Sequence, residues 1–240
     1  NQVRKCHMGL LAMNQTGLKN LNRIVTESWK TLGTTSKSRF PTIHWPVLKE
    51  FNDGIIALSG CADSQLSCIL LGGKSYGDRR MELSNRDIDA GVRCVRQYQK
   101  IFGDRYYLEV QRFPGLERTC LLNPALAEIG RRTGAQLVAT CDVHYPFPDQ
   151  NAMQRILHAA HSGGSVESAD ADWEYDILLT YPFSDNEIES DLELTGLALG
   201  EAADAVMNTA EIAKRCNVEL PKAPRPKYII DPERDWQTWI

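Results

Sequence analysis

Short apolar runs alternate along the chain with longer stretches whose apolar residues recur every three or four positions, a pattern that predicts strands and helices in turn. The run His7-Met8-Gly9-Leu10-Leu11-Ala12 reads as a strand, and Leu18, Leu21, Val25 and Trp29 follow at helical spacing on one face. Gly54 and Gly60 bracket Ile55-Ile56-Ala57-Leu58, a short run without a polar position, as expected of a strand buried on both faces. Ile88, Val92, Val95 and Phe102 predict a helix over 88–102, ended by Gly103, and Tyr106 to Val110 is the next strand. Asn123 as cap and Pro124 as first helical residue predict a helix that starts there and stops at Gly134. Leu137 to Cys141 reads as a strand. Met153, Ile156, Leu157 and Ala160 share one side of a further helix, and an Ala-rich helix spans roughly 198–215. Four prolines between Pro221 and Pro232 mark an extended linker.

Recurring strand–helix–strand units predict an α/β fold with a mainly parallel sheet or barrel. In such folds, chemistry gathers at the carboxyl ends of strands, and several polar residues here directly follow strands. Asp142-Val143-His144 ends an apolar strand. On an extended backbone residues two apart project to one side, so a carboxylate and an imidazole would point together, a pairing suited to a divalent metal. The same residues would also serve as a turn cap and a packed loop histidine. Cys61 follows its strand through Gly60 and offers a thiol for zinc, or a small buried hydrophobe. His7 is a third candidate ligand and equally an ordinary strand-edge residue. Glu109, inside an aromatic-flanked strand, needs a partner if buried and suits a supporting hydrogen-bond role or an ion pair with an arginine.

Composition narrows the partners. A formal net charge of −4 excludes nucleic-acid binding through overall charge, so any DNA contact needs a local patch or chain outside this sequence. Seven scattered cysteines without a CxxC pair suit a reducing, cytoplasmic setting, and no run is long and apolar enough to cross a membrane. Phosphate-binding loop, dinucleotide-binding and nucleophile-elbow motifs are absent.

Five stretches in register resemble the PHP domain of bacterial or phage DNA polymerase III alpha subunits. They are His7–Asn14 with Gly17 and Asn20-Leu21; Gly54–Cys61; Ile101-Phe102-Gly103 with Tyr107–Gln111; Val138–Tyr145; and Asn208-Thr209 with Ile212–Cys216. The resemblance implies the C-terminal portion of that domain, an incomplete, distorted β/α barrel with a helical, Pro-rich C-terminal extension. Residues 1–175 would be barrel, 176–220 its helical end and 221–240 a linker toward a polymerase core. By position, His7, Cys61, Asp142 and His144 fall on metal ligands, and Asp142 and His144 would take part in catalysis. The implied cofactors are divalent ions, zinc or manganese here and magnesium for a polymerase site beyond residue 240. The implied activity is metal-dependent 3′–5′ exonuclease or phosphoesterase chemistry in DNA replication. The fragment itself is expected to be inactive, because the family's earlier ligands precede residue 1. DNA, and proofreading or other replisome subunits, would be partners of the longer protein.

Some stretches depart from the family pattern: Arg112-Phe113-Pro114-Gly115 follows the third strand where a His-Gly is frequent, Cys141 replaces an asparagine, and Gly72–Asp89 is longer. Two other readings of the chain are a stand-alone phosphatase of the histidinol-phosphatase type and a non-catalytic interaction module.

Overall fold

The computed structural model describes residues 6–32, 41–72, 82–167, 179–220 and 222. Four strands form one open sheet in the order β1(Gly9–Ala12), β2(Ile55–Leu58), β3(Tyr106–Gln111) and β4(Leu137–Thr140). β1 pairs antiparallel with β2, while β2, β3 and β4 run parallel. This is a mixed α/β architecture, an open sheet that does not close into a barrel among the described residues. Ile55, Ile56 and Ala57 are fully buried, which explains why β2 carries no polar residue.

Eight helices of the described residues surround the sheet: α1(Gln15–Trp29), α2(Trp45–Glu50), α3(Gln65–Leu71), α4(Asn85–Phe102), α5(Glu117–Thr133), α6(Asn151–Ser162), α7(Asp185–Leu194) and α8(Leu199–Arg215). Asn14 caps α1 by accepting from Gly17 N–H, and Ser84 with Asp87 forms a capping box on α4. Gly17 is required by a backbone crossing, because a Cβ there would lie 1.9 Å from the Gly54 carbonyl oxygen. The main core runs through Ile24, Leu70, Val95, Phe102, Leu108, Ile129, Leu192 and Ala205, so α7 and α8 share it with the strands.

Among the described residues, the outer edge of β4 is met by side chains and not by a further strand. Asn208 Nδ2 donates to the Leu137 carbonyl at 2.8 Å, and Thr209 Oγ1 to the Ala139 carbonyl at 2.9 Å. Both come from α8, which thereby satisfies acceptors that an open edge would leave unpaired.

Three helix expectations shift. α5 begins at Glu117, with Pro124 inside it. Asn123 does not cap; it is buried, and its amide donates to the Gln111 carbonyl and Thr195 Oγ1. Tertiary hydrogen bonding therefore takes the residue that local preference assigned to a helix start. On α1 the buried positions are Gly17, Ile24 and Ser28, whereas Val25 and Trp29 are exposed. On α6 Met153, Ile156 and Leu157 face solvent, whereas Ala159 is buried. The expected linker at 221–240 lies outside the described residues except for Lys222.

Candidate metal centre at the carboxyl end of the sheet

β1 runs against its neighbours, so the residue before it stands at the same end as the residues after β2, β3 and β4. That topology brings His7 to Cys61. The turn at Gly60 has φ +89°, and a Cβ there would lie 2.6 Å from the His7 carbonyl oxygen, so only glycine admits the approach. His7 N–H donates to the Asp63 carbonyl at 3.1 Å. Cys61 Sγ then stands 3.6 Å from His7 Nδ1 and accepts from Asp63 N–H at 3.5 Å. Burial pushes the Cys61 thiol up, the Asp63 N–H opposes this, and the charges of Asp63, Glu109 and Asp142 push it further up. A neighbouring cation would reverse that balance and favour the thiolate.

After β4 the chain turns sharply. Asp142 has φ +43°, the only left-handed residue other than glycine among the described residues. The side chains of Asp142 and His144 therefore do not project together by strand alternation, as the sequence suggested. The turn brings them together instead: His144 Nδ1 lies 4.0 Å from Asp142 Oδ1 and 2.8 Å from the Asp142 carbonyl oxygen. Donation from Nδ1–H to that carbonyl fixes the tautomer with its lone pair on Nε2, the arrangement metal-binding histidines use. Asp142 is half exposed, and His144 N–H donates to the Leu179 carbonyl at 2.9 Å.

Glu109 couples by charge to Cys61 of one pair and to Asp142 of the other. Its carboxylate accepts from Thr140 Oγ1 at 2.8 Å and from Gly60 N–H, and its own N–H donates to Ser59 Oγ at 2.9 Å. Burial raises the Glu109 carboxyl, with the Asp142 charge adding to the rise and the two hydrogen bonds opposing it. The bond to Gly60 ties Glu109 to the turn that carries Cys61. A recess beside it, lined by Cys61, Glu109, Gln111, Thr119 and Asn123 among others, has room for about one water.

Of the residues singled out from sequence, His7 and Cys61 touch, Asp142 and His144 touch, and Cys61, Glu109 and Asp142 act on one another through charge. Sulfur, imidazole and carboxylate together suit a borderline ion such as zinc. In this arrangement no group of three or more His, Cys, Asp and Glu among the described residues stands close enough to hold an ion, so the donors fit in type and gather pairwise. His44 caps α2 without a side-chain bond and is exposed; His158 and His161 lie on α6. Asp63, in the turn that carries Cys61, and Arg112, which directly follows β3, were missed by sequence reasoning as parts of this site.

Residues 2–113 match the family model of the PHP domain. That similarity covers just under half of the chain. Across nearly its whole length it is homologous to DNA polymerase III alpha subunits: 29% identical over 227 residues to that of Thermus aquaticus (93% of this chain, 16% of the relative). To the alpha subunit of Treponema pallidum it is 30% identical over 220 residues (91% and 17%), and to that of Campylobacter jejuni 22% over 236 residues (97% and 18%). The chain thus spans less than a fifth of the length of these relatives. No helix among the described residues is long and apolar enough to cross a membrane.

Proposed function

We propose that the chain serves DNA replication as the metal-binding part of a DNA polymerase III alpha subunit, and that His7, Cys61, Asp142 and His144 contribute to a 3′–5′ exonuclease centre there. One observation carries this reading: four donors from three separate stretches gather in pairs at one end of the sheet, with Cys61, Glu109 and Asp142 within reach of one another's charge. Divalent zinc or manganese bound there would supply a Lewis acid and a water of lowered pKa for attack on a phosphodiester. His144 presents Nε2, held by its Nδ1–H bond to the Asp142 carbonyl. Asp142 offers a half-exposed carboxylate that can reach more than one ion. Glu109 holds the Gly60 turn and keeps the Cys61 thiol in place. In this reading residues 1–175 carry the centre, residues 176–220 brace it, and donors from elsewhere in the longer protein complete it, so the isolated chain does not hydrolyse DNA. Cytoplasmic location, DNA as substrate and contact with other replisome subunits follow from the same reading.

The test is metal content and release of nucleotides from 3′-labelled single-stranded DNA by the longer protein and its Asp142→Ala form. Loss of both metal and hydrolysis in the variant is expected; equal metal and equal rate would remove the catalytic reading. A scaffold role is favoured by the pairwise spacing of the donors. It predicts that a chelator lowers the melting temperature and leaves hydrolysis unchanged.

A further inference from the structure

Arg112 follows β3 at the same end of the sheet, and its side chain is only 9% exposed. Its Nη2 donates to Glu187 Oε1 at 2.8 Å. Its Nε lies 2.8 Å from Asp191 Oδ2 but off the line of the N–H, so that contact is an ion pair without an aligned hydrogen bond. Nη1 is buried without an acceptor among the described residues. Arg112 stands one residue beyond the Gln111–Thr140 pair of the β3–β4 ladder and so lies beside Cys141, on whose thiol its positive charge acts. A buried cation left partly unsatisfied is a poor way to gain stability alone.

Cys141 immediately precedes Asp142, whose left-handed backbone costs energy and persists only where surroundings over-determine it. On the far side the turn is held by His144 N–H donating to Leu179, whose own N–H donates to Tyr145 Oη at 3.2 Å. On the near side Arg112 lies beside Cys141 across the β3–β4 ladder and is itself paired with two carboxylates of α7. We infer that Arg112 is a positioning residue: anchored on α7, it clamps the turn after β4 so that Asp142 and His144 are aimed into the candidate metal centre. This rests on the reading of those two residues as metal donors, but the clamp itself can be tested without metal.

The decisive measurement is long-range ¹⁵N correlation of the His144 ring in the metal-free chain. The wild type should show the Nδ1–H tautomer that bonds to the Asp142 carbonyl. Arg112→Met should lose that preference, Arg112→Lys should restore part of it, and Cys141→Ala, which leaves the α7 ion pairs intact, should weaken it. Arg105→Met removes bonds to the Asn52 and Ile55 carbonyls at the other end of the sheet. It should lower stability and keep the tautomer. Retention of the His144 signature in folded Arg112→Met and Cys141→Ala, its loss in Arg105→Met, or its absence in the wild type would overturn the inference. Zinc titration of the same proteins reads the metal centre separately: about 10–100-fold weaker binding is expected in Arg112→Met. A wild type that binds no zinc would count against the metal reading and leave the tautomer result standing.

Discussion

Asp142 is where backbone and chemistry meet. Its φ of +43° disfavours most side chains, and aspartate tolerates it better than alanine because a short polar group can bond locally. Asp142→Gly should therefore keep the fold or stabilise it by up to about 1 kcal/mol, while Asp142→Ala should cost about 1 kcal/mol in urea unfolding. The reverse order would mean that the carboxylate itself braces the turn. Glu109 makes a second prediction. Burial raises its pKa in the folded chain, so its contribution to stability is fully present below the ordinary carboxylate value of about 4.3 and is lost as pH rises through the raised value. In the metal-free chain, Glu109→Gln should flatten that loss and become relatively more stable toward pH 7. Parallel pH profiles for the two proteins would contradict it. The residue types of this site were legible in the sequence, but their geometry was not. Strand alternation put Asp142 and His144 side by side for the wrong reason, since a left-handed turn cannot be read from a D-x-H spacing.

Elements were legible where burial and local preference agree. The uninterrupted apolar run of β2 is a strand buried on both faces, and Gly103 ends α4 with φ +62°. They were misread where a tertiary bond claimed a residue. Asn123 looked like a helix cap but serves the join between β3, α5 and Thr195. The role of Asn208 and Thr209 was also hidden, because sealing a strand edge from a helix leaves no periodic trace. Replacing both by alanine should cost about 1 kcal/mol each and speed amide exchange along β4; unchanged exchange would show that the edge is protected otherwise. The crossing of α1 over the start of β2 is stricter. Gly17→Ala drives a methyl into the Gly54 carbonyl and should cost about 3 kcal/mol by thermal unfolding, whereas a near-neutral result would mean the crossing can slide.

For the molecule as a whole, the antiparallel β1 decides what the sheet can do. It returns His7 to the end at which the three parallel strands deliver Cys61, Glu109 and Asp142, so donors far apart in sequence share one neighbourhood. The α/β class and the approximate strand positions followed from periodicity alone. The approach of His7 to Cys61 was not legible from periodicity, because nothing in a single sequence says which strand ends are adjacent. The most direct measurement is cobalt(II) titration of this chain, followed by optical absorption, with Cys61→Ser beside the wild type. A thiolate-to-cobalt charge-transfer band is expected in the wild type, displaced by zinc and absent from Cys61→Ser. No such band, or the same band in both proteins, would contradict a metal centre built on Cys61.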